Sequence, residues 1–158
     1  MNYTDKTKKY SADKIAFLCL FVLSIIIARF ISQALRGEPL TIYDNGQQTR
    51  CFTYVTDTAT GTIRAATLPQ AVGQVFNIGS DHETSVNELA QTIIRITDST
   101  SEIRYVPYKE AYGPAFEETR RRVPDTTRAR ELLDFTAQVP LEQDLKQTVT
   151  WFQESNND

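Results

Sequence analysis

Cysteine, histidine and glycine are all scarce in this chain of 158 residues. Two cysteines, Cys19 and Cys51, are too few for a disulfide scaffold or a cysteine-based zinc site. The single histidine, His82, excludes a histidine-rich metal centre. It stands between Asp81 and Glu83 and reads as a solvent-facing loop residue. The six glycines, at 37, 46, 61, 73, 79 and 113, are never closer than six positions. That spacing excludes a Gly-rich dinucleotide fingerprint and a phosphate loop. No serine or cysteine sits in a nucleophile-elbow context. An excess of positive charge is missing too. Seventeen basic residues face twenty acidic ones, a net charge of −3, so no nucleic-acid partner is expected.

What is present is an ordinary globular composition, 41% apolar and 23% charged, of about one domain's length. The charge is uneven. Residues 1–14 hold four Lys and two Asp, whereas residues 29–158 hold thirteen basic and eighteen acidic groups. Between them lies the apolar run Ile15–Ala28, IAFLCLFVLSIIIA, with Ser24 its one polar member. A basic start before an apolar run outlines a signal peptide, but no small-residue cleavage site follows Ala28. Fourteen residues fall short of the roughly 20 that span a membrane. A buried or partner-covered helix is the favoured reading. A membrane anchor and a signal peptide are the alternatives.

Residues 11–36 are predicted as one helix, capped by Ser11 and stopped by Gly37 and Pro39. Leu40–Tyr43 reads as a strand, and Asp44-Asn45-Gly46 as a turn whose residues tolerate positive φ. Thr49–Val55 reads as a second strand and Asp57–Thr67 as a helix. Val75–Ile78 is predicted as a short buried strand. Ser85 and Glu88 have capping-box spacing ahead of an apolar stripe at Val86, Leu89, Ala90, Ile93 and Ile94. Ile103–Val106 is predicted as a strand, residues 109–125 as a loop and Thr127–Leu133 as a short helix. Leu141, Leu145, Val149 and Phe152 mark a final amphipathic helix. Strands alternating with helices predict an α/β class, but the strands are too few for a complete doubly wound domain.

The stretch GEPLTIYDNGQQTRCFTYVTD, residues 37–57, carries a resemblance. It resembles the sugar-nucleotide lobe of extended short-chain dehydrogenases/reductases. Within them it is most similar to NAD-dependent sugar-nucleotide epimerases and UDP-glucuronate decarboxylases. Their pattern, GxPLxVYGxGxQxRxFxYVxD, is matched at Gly37, Pro39, Leu40, Tyr43, Gly46, Gln48, Arg50, Phe52, Tyr54, Val55 and Asp57. Further matches follow in order: GQVFNIGS at 73–80, SVNELA at 85–90, SEIRYVPY at 101–108 and AYGPAFEETRRRVPD at 111–125. The chain departs from the pattern at Asp44, which replaces a glycine, and at Thr56, which replaces an aspartate. Arg29 stands where the family usually has a substrate-binding asparagine.

The resemblance implies a partial extended short-chain dehydrogenase fold, with residues 29–158 as the substrate-binding lobe, residues 1–28 as an N-terminal segment, and the Rossmann half missing. It also implies site residues. Tyr43, Gln48 and Arg50 belong to the segment that wraps the nucleotide half of a UDP-sugar, and a guanidinium such as Arg50 offers a fork to phosphate oxygens. Phe116 falls where such decarboxylases place an aromatic beside the uracil. Arg122 falls on an arginine near the diphosphate and sugar, whereas Arg120 and Arg121 have weaker claims. From spacing alone, Arg50 reads as an exposed strand residue and the arginine cluster as a solvated loop pairing with Glu117 and Glu118.

Tyr10 and Lys14 lie four apart, one helical turn, and resemble the catalytic Tyr-x-x-x-Lys pair. A nearby ammonium lowers a phenol pKa and makes the tyrosinate a better base. In the family the Lys also holds the ribose of the NAD cofactor. The intact reaction implied is hydride transfer from sugar to NAD, a step at the keto sugar, and hydride return. The expectation is a fragment of such an enzyme, inactive alone and binding no NAD. The alternatives are a non-catalytic nucleotide-sugar or homologue-docking module and a membrane-anchored remnant. Self-association and a cytoplasmic location are expected, with membrane contact through Ile15–Ala28 as the alternative.

Overall fold

A computed structural model describes residues 26–113 and 119–155. Helix α1 covers 26–35 and ends where Gly37 takes a φ of +66°. Strand β1 (Leu40–Tyr43) follows. The chain then reverses through Asp44 and Gly46, at φ 60° and 70°, with the Asn45 side chain accepting the Gln47 N–H at 3.0 Å. Strand β2 (Thr49–Cys51) and helix α2 (Val55–Thr67) come next. A 3₁₀ turn at Pro69–Ala71 leads towards strand β3 (Glu83–Ser85), and helix α3 (Val86–Ile96) follows. The rest of the chain holds strand β4 (Ile103–Val106) and helices α4 (Tyr108–Tyr112), α5 (Thr127–Leu133) and α6 (Leu141–Ser155).

Two small sheets result. β1 and β4 pair in parallel with Leu40 opposite Ile103, and the connection between them passes through α3. β2 and β3 pair antiparallel, with Arg50 opposite Thr84. The larger core joins α1, β1, α3 and α6 through Phe30, Ile31, Ile42, Leu89, Ile93 and Leu145, all fully buried. A smaller cluster of Ala71, Ala129, Leu133 and Phe135 binds α5 to the 3₁₀ turn. The capping box forms as the sequence predicts. Ser85 Oγ accepts the Glu88 N–H at 3.1 Å, and Glu88 Oε2 accepts the Ser85 N–H at 2.8 Å.

The structure corrects several sequence expectations. The second strand stops at Cys51, and Val55 opens α2, so residues 52–54 are an unladdered crossing. Residues 75–78 form no strand: no described segment pairs with their backbone, and their contacts with 125–128 run through the Asn77 and Arg128 side chains. Val75 is exposed, and Phe76 and Ile78 pack on the smaller cluster. Strand β3 was not foreseen, and the expected loop at 109–125 begins within helix α4. His82 is exposed as expected. No helix among the described residues is long and apolar enough to cross a membrane. Of the run Ile15–Ala28, only residues 26–28 are described, and Ile26 and Ile27 pack against the larger core.

Candidate functional site

The sharp turn after β1 sends β2 back across the molecule and places Arg50 inward. Arg50 is 6% exposed, and its Nη1 donates to the Thr49 carbonyl at 2.7 Å. The exposed strand arginine that spacing alone suggests is therefore replaced by a buried guanidinium. Residues 121–124 run beside β2, and Thr49 bridges to Arg121 while its N–H donates to the Arg120 carbonyl at 2.9 Å. This pairing brings Arg121 and Arg122 to the same place as Arg50. The three arginines line a groove of about 860 Å³. Its other walls are Ile27, Phe52, Tyr54 and Phe152, with Asp144 and Thr148 from α6.

Within this groove Arg121 is committed. It forks onto Glu83, with Nε to Oε2 at 3.0 Å and Nη2 to Oε1 at 2.6 Å, and Glu83 also accepts the Thr49 hydroxyl at 2.8 Å. The Arg121 hydrogen bond, followed by that of Thr49, holds the Glu83 carboxyl below the usual carboxylate range. Arg122 Nη2 reaches the Thr119 hydroxyl at 3.4 Å. Burial pushes the Cys51 thiol up, reinforced by the Glu83 and Asp81 carboxylates and opposed by Arg121, and the net rise disfavours the thiolate. Burial likewise raises the Asp144 carboxyl, which accepts the Thr148 hydroxyl at 3.1 Å.

Tyr43 and Gln48 lie around the β1–β2 turn in a second cluster. Gln48 Nε2 donates to the Tyr43 carbonyl and the Tyr108 hydroxyl, each at 3.2 Å, and the Tyr43 and Tyr108 rings stack 6.2 Å apart. Of the sequence-predicted site residues, the structure thus brings Arg50 and Arg122 into one groove and Tyr43 with Gln48 into one cluster. Tyr10, Lys14 and Phe116 lie outside the described residues. Tyr108 and Asp144 were missed. Tyr108 closes the matched stretch SEIRYVPY, whereas nothing in the sequence set Asp144 apart from Glu142 in the first turn of α6. Arg121 pairs with Glu83, a contact 38 residues away along the chain.

No group of three or more metal-ligating side chains gathers among the described residues. Their glycines serve turns and close packing. Gly46 sits against the Asn87 side chain and Gly61 against Ile78, and neither opens a dinucleotide cradle.

A parallel strand pair, a packed helical core and a groove lined by a buried arginine define a small α/β lobe. The family model described as GDP-mannose 4,6 dehydratase matches residues 21–148. The chain belongs to this NAD-dependent sugar-nucleotide epimerase/dehydratase family. It is 46% identical over 133 residues to the UDP-N-acetyl-alpha-D-glucosaminuronate decarboxylase of Bacillus cytotoxicus, covering 84% of this chain and 41% of that protein. The UDP-glucose 4-epimerase of Thermotoga maritima, solved with UDP-glucose, superposes with a TM-score of 0.74 at 32% identity. That match covers 83% of this chain and 40% of the epimerase. The UDP-glucuronic acid 4-epimerase of Bacillus cereus, solved with UDP-glucuronic acid and NAD, gives 0.72 at 26% identity, over 82% of this chain and 40% of that one. The chain thus spans about two fifths of these proteins.

Proposed function

We propose that this chain is the substrate-binding part of an NAD-dependent sugar-nucleotide decarboxylase or epimerase, and that it holds the UDP half of a UDP-sugar. The observation that carries this reading is Arg50, a buried guanidinium lining an 860 Å³ groove together with Arg122. A fixed fork of N–H donors in a partly desolvated groove suits phosphate oxygens, which accept two parallel hydrogen bonds. In this reading Arg50 and Arg122 hold the diphosphate, Tyr43 and Gln48 border the nucleoside, and Phe116 stands beside the uracil.

Tyr10 and Lys14 retain the proposed role of catalytic pair, Tyr10 as base and Lys14 lowering its pKa and holding the cofactor ribose. NAD supplies the redox chemistry when the enzyme is whole. We propose that this chain alone neither binds NAD nor turns over a UDP-sugar, and that it works in the cytoplasm. A titration with NAD giving a Kd tighter than about 100 μM overturns the first of these.

The central test is calorimetric titration with UDP. Arg50→Lys and Arg122→Ala should each lower UDP affinity by about 1.5–3 kcal/mol, the worth of a charge-assisted hydrogen bond. Unchanged affinity in both variants, with the fold intact by circular dichroism, rejects the reading.

A further inference from the structure

Two stretches of chain flank β2. On one edge β3 pairs with it antiparallel, with Glu83 opposite Cys51. On the other run residues 120–122, where Thr49 bridges to Arg121 and the Thr49 N–H donates to the Arg120 carbonyl. Arg121 and Glu83 therefore stand on either side of the same strand, and their side chains meet across it. Arg121 Nε donates to both Glu83 oxygens, at 3.1 and 3.0 Å, and Nη2 donates to Oε1 at 2.6 Å. The Thr49 hydroxyl of the central strand donates to Oε2 at 2.8 Å. One carboxylate thus clasps three segments that lie far apart in sequence.

The clasp is poorly placed to stabilise the fold by charge alone. The Arg121 and Glu83 side chains are 68% and 31% exposed, and ion pairs so open to water contribute little to stability. What the contact fixes is register. In the parallel alignment set by Thr49 and Arg121, the next residues along are Arg50 and Arg122. Neighbours in register on adjacent strands point to the same side of a sheet. Both line the groove, and Arg50 is buried. Arg50 belongs to β2 and is anchored by the ladder to β3. Arg122 follows a single bridge residue, so its place beside Arg50 depends on how firmly Arg121 is tied. Guanidinium groups gathered in one groove repel one another, and the Glu83 carboxylate opposes that repulsion at the point of attachment.

We infer that Glu83 is a positioning residue for the proposed diphosphate site: through Arg121 it sets Arg122 beside Arg50. The inference rests on the reading that Arg50 and Arg122 hold the diphosphate, and it adds a residue that touches no ligand itself. A Glu83 that merely fastens β3 to β2 is the rival account. That account predicts lost stability with no preference among ligands.

The experiment titrates UDP and uridine into the wild-type chain, Glu83→Ala, Arg122→Ala and the double variant. Glu83→Ala should weaken UDP about tenfold and leave uridine within about twofold. In the Arg122→Ala background the same change should weaken UDP by less than about twofold further, because its effect runs through Arg122. Unchanged UDP affinity in Glu83→Ala, equal losses for UDP and uridine, or losses that multiply in the double variant overturn the inference while the diphosphate reading stands. A wild-type chain that binds no UDP overturns both. A melting temperature for each variant separates lost binding from lost folding. Should Glu83→Ala not fold, Glu83→Gln takes its place in every arm. Glutamine keeps an acceptor for the Thr49 hydroxyl but loses the charged fork, and the same outcomes decide.

Discussion

Asp57 accepts the backbone N–H groups of Gln138 and Val139 on a single carboxylate oxygen, Oδ2, at 2.9 Å each. The carboxylate is buried, in the first turn of α2, and the two amides belong to the segment that leads into α6. One side chain therefore fixes the approach of two helices. The position also suits the charge, since a helix N-terminus favours an anion. Asp57→Ala leaves two amides near the protein interior without a partner. Its expected cost is about 2–4 kcal/mol, and Asp57→Asn, which keeps an acceptor oxygen, should cost less. Urea denaturation measures both. An alanine variant that unfolds at the wild-type midpoint shows that the contact contributes nothing.

Acid should loosen the contact between α3 and α6. Glu142 accepts a forked pair from Arg95, at 3.2 and 3.1 Å, and an ion pair from Lys146 at 2.9 Å. The Arg95 hydrogen bond, followed by that of Lys146, lowers the Glu142 carboxyl to about 2 from 4.5. A carboxylate with a depressed folded-state pKa stabilises the fold above its unfolded pKa. That contribution fades as pH falls from about 4.5 through about 2. Glu88 adds to the same trend, held low by the Ser85 backbone and hydroxyl. Thermal melts should therefore show Glu142→Gln less stable than wild type at pH 6 and converging with it at pH near 2. A difference that persists at low pH assigns the effect to packing instead.

Local signals carried most of the fold. The cap at Ser85, the turn at Asp44–Gly46 and the stripe from Val86 to Ile93 are short-range patterns, and each formed where the sequence placed it. What failed depended on partners distant in the chain. Residues 75–78 have a strand's composition, but composition cannot say whether a neighbouring strand exists. Glu83–Ser85 lacks a strand's composition yet pairs with β2, because Arg121 and Thr49 hold Glu83 there. The site followed the same rule. The family pattern singled out Arg50 and Arg122, but their meeting in one groove depends on the pairing of Thr49 with Arg121, which spacing cannot show.

The chain should self-associate. Val72 and Val75 are 81% and 80% exposed, and Ile63 is 62% exposed. The sequence adds the apolar run Ile15–Ala28. Each such side chain left in water forgoes about 1.5–3 kcal/mol of burial. Sedimentation in detergent-free buffer should give a species heavier than 18.0 kDa that detergent reduces. A monodisperse monomer shows that the chain covers these groups itself.

Gly61 should resist substitution even though it lies mid-helix. Glycine inside a helix normally costs about 0.5–1 kcal/mol relative to alanine, so Gly61→Ala would ordinarily stabilise α2. Here an added Cβ would stand 2.4 Å from Ile78 Cγ2 and 3.1 Å from Phe135 Cε2. Cγ2 branches directly from the Ile78 Cβ and has little freedom to withdraw. Overpacking of this kind costs about 1–3 kcal/mol, which outweighs the gain in helix propensity. Gly61→Ala should therefore lower stability by about 1–2 kcal/mol. Ile78→Ala removes the obstructing methyl, so the double variant should lose less than the two single losses added together. Strict additivity in urea denaturation, or a stabilised Gly61→Ala, means that the helix reaches its place without this close approach.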